Sequence, residues 1–370
     1  MGVWLSFFMD DDMICPQFIE LMRVALGNAK RLDVTPTPKE WEELFAMSVR
    51  QGLVGVMFDG VERLPKEQMP PVEMIMDWAA AEDYLAKENR RLNKACVEVC
   101  ERFEQDGVRV CILKGQGMSV LYPKPLRRAT GDIDVWMQGG KEQVVEYMRS
   151  HYEQVEGPNM YHVATMLKNG VEMEVHYRPV RLSSPKRDER LRKWMEEMEP
   201  KQWNHWAELP EGVGKIRVPS KNFDLVFILL HLLHHWAFEG CGMKQLVDYY
   251  WLMMSASADE RREAMETLSV LGLGNFVAAV MYIFSLWGME DGVLLCPPSK
   301  WLGTLLLDDI MKVGVVSADD LSVGVYGQEK KVRKFWRRLT RMCRLMPLAP
   351  HELPRVWWDN VWWWMVRKMK

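Results

Sequence analysis

Through the first hundred positions apolar residues recur at three- and four-residue spacing, which predicts helices. Thr37-Pro38-Lys39-Glu40 has the make-up of a capping box with proline at the first helical position, launching a helix through Trp41 to Gln51 that stops at Gly52. A second start follows Pro70-Pro71, and from Val72 to about Gln105 nothing breaks the helical pattern before Gly107. There the period changes. Val108 to Leu113 is a short apolar run of the buried-strand kind, and it empties into Lys114-Gly115-Gln116-Gly117 and a helical start at Met118 to Tyr122. Gly131 to Met137, read as a strand, sends Asp132, Asp134 and Trp136 to one face and Ile133, Val135 and Met137 to the other. After the Gly139-Gly140 break, Lys141 to Ser150 reads as a helix. Tyr161 to Leu167 and Glu172 to Tyr177 flank Asn169-Gly170, which predicts a hairpin with a type I′ turn and places Glu172, Glu174 and His176 on one face.

Residues 181–215 are charged and turn-rich, an excursion between domains. Phe223 to Phe238 is an almost wholly apolar helix holding His231, His234 and His235. These are either a zinc set or, on spacing that lacks a following acid, buried histidines with ordinary partners. Beyond Gly240 and Gly242 a further helix opens with Met243. The pattern divides the chain into an N-terminal helical region (1–106), a mixed core (107–218), a C-terminal helical domain (219–328) and a basic, Trp-rich tail (329–370). In the tail, Glu329 to Arg344 holds eight Lys or Arg against one acid, and Trp357, Trp358, Trp362, Trp363 and Trp364 follow. It either makes weak contact with a membrane or anionic polymer or caps a core with its tryptophans.

Composition narrows this only slightly. With 370 residues, 48% hydrophobic content and a net charge of −3, the chain has ample material for buried cores, and its charge balance gives no firm nucleic-acid signal. Seven scattered cysteines suit free thiols in a reducing compartment, and no signal peptide or membrane span is read, so the expected location is the cytoplasm.

The chemistry lies between 108 and 178. Asp132 and Asp134, two residues apart on one strand face, are either solvated surface acids or a pair that leans onto a hard cation. The strand, glycine turn and helix start at 108–122 either cradle phosphate with backbone N–H groups or form an ordinary βα turn. Arg127 and Arg128 either neutralise an anionic ligand or balance the aspartates.

The stretches Cys111-Ile112-Leu113-Lys114-Gly115, Leu121-Tyr122-Pro123, Leu126-Arg127, Gly131-Asp132-Ile133-Asp134-Val135-Trp136 and Glu174-Val175-His176-Tyr177 resemble the signature blocks of a bacterial group of uncharacterised nucleotidyltransferases, within the DNA polymerase beta-like superfamily. The resemblance continues through His231, His234 and Glu239-Gly240 to Gln245-Leu246-Val247-Asp248, covering roughly residues 40 to 255. It implies an α+β fold, a nucleotidyltransferase-type mixed β-sheet with flanking helices, with N-terminal and C-terminal helical regions added. It also implies transfer of a nucleoside monophosphate from an NTP donor to an unidentified acceptor, with two Mg²⁺ ions on Asp132, Asp134 and Glu174. Lys114, Gly115, Gly117, Ser119, Arg127, Lys244 and Asp248 are then the nucleotide- and phosphate-binding set. Lys114 either contacts phosphate or pairs with Asp132, and Glu172 rivals Glu174 as third acid. The turn departs from the usual Gly-Ser or Gly-Gly pair. The alternative is a catalytically degenerate module that binds nucleotide or protein. Trp136, sharing the aspartates' face, is expected to line the cleft.

Overall fold

A computed structural model describes residues 16–238, 240–313 and 331–355. Helices α1 (Pro16–Ala25), α2 (Pro38–Gln51), α3 (Val54–Arg63) and the 34-residue α4 (Val72–Gln105) come first. The capping box forms as its residues dictate: the Thr37 side chain accepts from the Glu40 N–H while the Glu40 carboxylate accepts from the Thr37 N–H, and Gly52 closes α2 at φ 67°.

The chain then builds a five-stranded sheet ordered β1-β2-β5-β4-β3, from β1 (Val110–Leu113), β2 (Ile133–Met137), β3 (Val155–Glu156), β4 (His162–Met166) and β5 (Glu172–His176). β2 and β5 pair in parallel, and the other neighbours are antiparallel. The sheet is therefore mixed, as expected of this α+β architecture. Two short helices, α5 (Gly115–Ser119) and α6 (Lys141–His151), connect strands.

The hairpin between β4 and β5 differs from expectation. Of its turn residues only Gly170 takes positive φ, 74°, and the Gly170 N–H donates to Leu167 O while the Leu167 N–H donates to Val171 O. This is a three-residue loop, a type I turn followed by a left-handed glycine, rather than the two-residue type I′ loop. The consequence is a register in which His162 lies opposite His176.

Residues 181–215 are ordered structure. They hold α7 (Pro185–Met198), a 3-10 turn, β6 (His205–Glu208) and the start of β7 (Lys215–Val218), the last two forming a separate two-stranded sheet. Helices α8 (Lys221–Phe238), α9 (Met243–Ser255), α10 (Ala258–Val270), α11 (Gly274–Leu286), α12 (Lys300–Val313) and α13 (Lys331–Leu345) complete the described chain.

Each sheet face has its own core. Ile133, Val135, Met137, Met173 and Val175 bury against α4 and α6, each contributing roughly 1.5–3 kcal/mol by leaving water. The opposite face meets a larger core that α1–α3 and α8–α12 build together. Trp136 belongs to this second core. It is only 2% exposed, with Trp203 at 5.0 Å and Phe223 stacked at 5.2 Å between ring centroids, so it does not line a cleft. Its strand face is the expected one; what fills the space above it is α8. No helix among the described residues is long and apolar enough to cross a membrane.

In α13, Arg341 and Arg344 pair with Asp309 and Asp308 of α12, which ties down part of the basic stretch. The tail tryptophans from Trp357 onward lie outside the described residues, as does Glu239.

Candidate active site

The parallel pairing of β2 with β5 sets Asp134 directly beside Glu174, one strand spacing away. Asp132, Asp134 and Glu174 converge there, each offering a carboxylate oxygen within 4.8 Å of the others. Glu172, two residues earlier on the strand, belongs to no such ligand group among the described residues. Ala164 of β4 is Glu174's other cross-strand neighbour. A cavity of about 230 Å³, lined by Glu88, Arg91, Thr130, Asp132 and Glu172, opens next to Asp132. A larger cavity of about 540 Å³, between α10 and residues 292–295, shares no residue with this constellation.

Asp134 is the buried centre, 1% exposed. Its Oδ2 lies 2.8 Å from Lys114 Nζ, and its Oδ1 lies 3.0 Å from His176 Nε2. Burial pushes the Asp134 carboxyl up, but the Lys114 ammonium and the His176 hydrogen bond outweigh it and bring it well below the usual range. Burial likewise works against the charged Lys114, and the charges of Asp134 and Asp132 more than restore it, raising its pKa. Asp132 goes the other way: burial and the charge of Asp134 push its carboxyl up. The ion pair of Lys114 is thus to Asp134, not Asp132.

That pair depends on an unusual backbone. Along β1, Val110 and Ile112 face the α4 side, and regular alternation would send Lys114 after them. Lys114 instead adopts φ 41° and ψ −145°, a region that glycine populates readily and other residues enter at a cost of roughly 1–3 kcal/mol. The break in alternation brings its ammonium to the carboxylate face.

His162, which the sequence pattern did not single out, completes the polar row. Its Nδ1 lies 3.2 Å from Glu174 Oε2, and His176 Nε2 lies 3.5 Å from the same oxygen. His162, Glu174 and His176 form a second potential metal-ligand group. The signal for His162 lay in the hairpin register, legible only once the turn type is known. Above this row, Tyr161 Oη contacts His234 Nε2 at 3.2 Å, so α8 roofs the site with its histidines. His231 is driven far below its usual pKa by burial and then by the charge of Lys114. Among the described residues no metal-ligand group contains His231, His234 or His235, so the zinc set does not form.

The other expected contacts are distributed differently. Gly115 takes φ 48°, and a Cβ there would stand 3.7 Å from Asp132 O, an ordinary contact. Gly117 is needed for packing, since a Cβ there would stand 3.2 Å from Val218 and 3.3 Å from Ile112 O. Ser119 is buried and its hydroxyl donates to Gln116 O. Arg127 is engaged by Asp59, Glu62 and Glu82, and Asn89 of α4 donates to the carbonyls of Leu126 and Arg128. The proline-containing segment that delivers Asp132 is therefore pinned to α3 and α4. Arg128 makes a bidentate pair with Asp248, both contacts 2.8 Å, and Tyr122 Oη donates to the same carboxylate at 2.6 Å. Neither arginine pairs with Asp132 or Asp134. Lys244, one turn before Asp248 on α9, is half-buried; burial and the charge of Arg128 lower its pKa.

The Arg127 cluster carries its own pH dependence. The hydrogen bond from Arg127 holds Glu62 down at about 2, against an ordinary 4.5. A depressed acid stabilises fully above its ordinary pKa and loses that contribution as pH falls through the folded value. Glu62 is 39% exposed, so the contribution is discounted to about 1 kcal/mol. Glu62→Gln should cost that amount in urea unfolding at pH 6, and the difference from wild type should shrink below pH 4.5 and vanish only below pH 2.

The chain matches the family described as uncharacterised nucleotidyltransferase over residues 37–288, more than half of its length. It belongs to that family. A crystal structure of an antigenic nucleotidyltransferase-like protein from Paracoccidioides brasiliensis is similar at 15% identity and a TM-score of 0.30, over 49% of this chain and 86% of that one. No curated protein matches the chain.

Proposed function

We propose that this nucleotidyltransferase moves a nucleoside monophosphate from an NTP to an acceptor hydroxyl or phosphate, with a divalent cation such as Mg²⁺ held by Asp132, Asp134 and Glu174. The observation that carries this is the convergence of those three carboxylates, within 4.8 Å, one of which, Asp132, also lines an open cavity. Hard oxygen ligands on one strand pair suit such an ion. When bound, the cation polarises phosphate oxygens and offsets charge on the leaving group.

The acceptor oxygen bonds to the α-phosphorus as the bond to the α–β bridging oxygen breaks. Pyrophosphate leaves, and the acceptor's proton passes to water. The chain's own residues orient this step: Lys114 presents a fixed positive charge, His176 fixes the Asp134 carboxylate, and the pinned segment before Asp132 holds that acid at the cavity. A second reading, binding without turnover, is favoured by one feature, the engagement of both Asp134 oxygens by Lys114 and His176.

Equilibrium binding of labelled ATP, GTP, CTP and UTP with and without Mg²⁺ tests the proposal. At least one should bind, more tightly with Mg²⁺, and Asp132→Asn should lose the Mg²⁺-dependent part. Absence of binding by folded wild-type protein to all four overturns it. Binding with no product formed from any tested acceptor supports the second reading.

A further inference from the structure

We infer that Lys114 stands in place of one of the two cations expected for this chemistry, so that the site works with a single divalent ion. The inference rests on the transfer reading above and concerns how its charge is balanced. Two ions about 3.5–4 Å apart need a carboxylate that reaches both. Among the described residues Glu174 belongs to both ligand groups, but the second group's other members are the imidazoles of His162 and His176, a poor set for a hard ion. Asp134 already has Lys114 at 2.8 Å from its Oδ2 and His176 at 3.0 Å from its Oδ1. Asp132 and Glu174 remain to hold an ion, with Asp134 as the third member of the group.

The Lys114 ammonium offsets one of the three carboxylate charges. The ammonium is also built in rather than incidental. Lys114 is 16% exposed at its side chain, and it reaches the acids only because its backbone enters the positive-φ region at 41°. A flexible surface lysine needs no such backbone. A fixed ammonium can do what a second ion does for the leaving group, since lysine clamps on phosphate oxygens stabilise developing charge.

The test counts ions by spectroscopy in the full chain. Mn²⁺ is the metal probe, and the α,β-methylene analogues of ATP, GTP, CTP and UTP are added in turn. Wild type should bind one Mn²⁺ beyond that carried by free analogue, with the spectrum of an isolated ion. Lys114→Gly removes the ammonium and relieves the backbone, which offsets part of the cost of the broken pair with Asp134, so it should fold, melt somewhat below wild type, and take up a second Mn²⁺ that broadens the spectrum by spin coupling. Lys114→Arg should stay at one. A spin-coupled pair in wild type overturns the inference and leaves the transfer reading intact. A Lys114→Gly protein that still holds one ion also overturns it. Folded wild type that binds neither Mn²⁺ nor any analogue overturns both.

Discussion

Asp134→Asn should lower nucleotidyl transfer by on the order of 10³-fold or more, the loss that accompanies several kcal/mol of charge stabilisation. It should also unfold more easily. The substitution leaves the Lys114 ammonium buried without its counter-charge, and breaking a buried pair costs about 3–5 kcal/mol, less here because an amide still serves His176. The pH dependence follows from the depressed carboxyl of Asp134. Its contribution is fully present above the ordinary 3.8 and is lost as pH falls toward the folded value, so the variant's deficit is greatest near neutrality. Asp132→Asn separates the two effects. Burial and the Asp134 charge raise the pKa of Asp132, so its charged form opposes folding at neutral pH, and neutralising it should leave stability unchanged or slightly higher. Activity should still fall by a similar factor. Steady-state transfer and thermal unfolding at pH 7 measure both; equal losses of stability in the two variants would refute the assignment of Asp134 as the buried, paired centre.

What the sequence disclosed and what it withheld divide along the range of the interactions. The capping box at Thr37, the uninterrupted α4 and the alternation of β2 are set by residues within a few positions of one another, and all three are visible in the pattern. The convergence of Asp132 and Asp134 with Glu174 needs a parallel pairing of strands forty residues apart, which resemblance to a family supplied and alternation alone did not. His162 was missed through the hairpin. A two-residue Asn-Gly loop would pair position 168 with 171 and so set His162 against Tyr177, whereas the three-residue loop shifts the register by one and sets it against His176. The charged surface of α7 hid its buried line of Leu191, Met195 and Met198. Trp136 was placed on the right face, but the partners that bury it, Trp203 and Phe223, come from elements far along the chain. The positive φ of Lys114 had no sequence signal, because glycine is the usual resident and lysine occurs there only when long-range ion pairing holds it.

Asp248→Ala should destabilise the protein by about 3–5 kcal/mol, because it strands a buried guanidinium. Arg128 is 8% exposed and both of its contacts to Asp248 are 2.8 Å, while Tyr122, equally buried, loses the acceptor of its hydroxyl. Resemblance placed Asp248 at the nucleotide; its geometry makes it the post to which α9 ties the segment four residues ahead of Asp132. Asp248→Asn should be milder, since the amide oxygen still accepts from Tyr122 or Arg128. The double variant Arg128→Met/Asp248→Leu should recover most of the loss, because replacing both partners with apolar groups removes the uncompensated charge. Urea unfolding of the four proteins gives the coupling directly. The kinetic consequence is distinct from that of a nucleotide contact: loosening the segment before Asp132 misplaces an acid of the proposed metal group, which should lower kcat with KM little changed, whereas a lost binding contact raises KM. Unchanged stability in Asp248→Ala together with a raised KM for NTP would return Asp248 to the nucleotide site and leave Arg128 with another partner when substrate is bound.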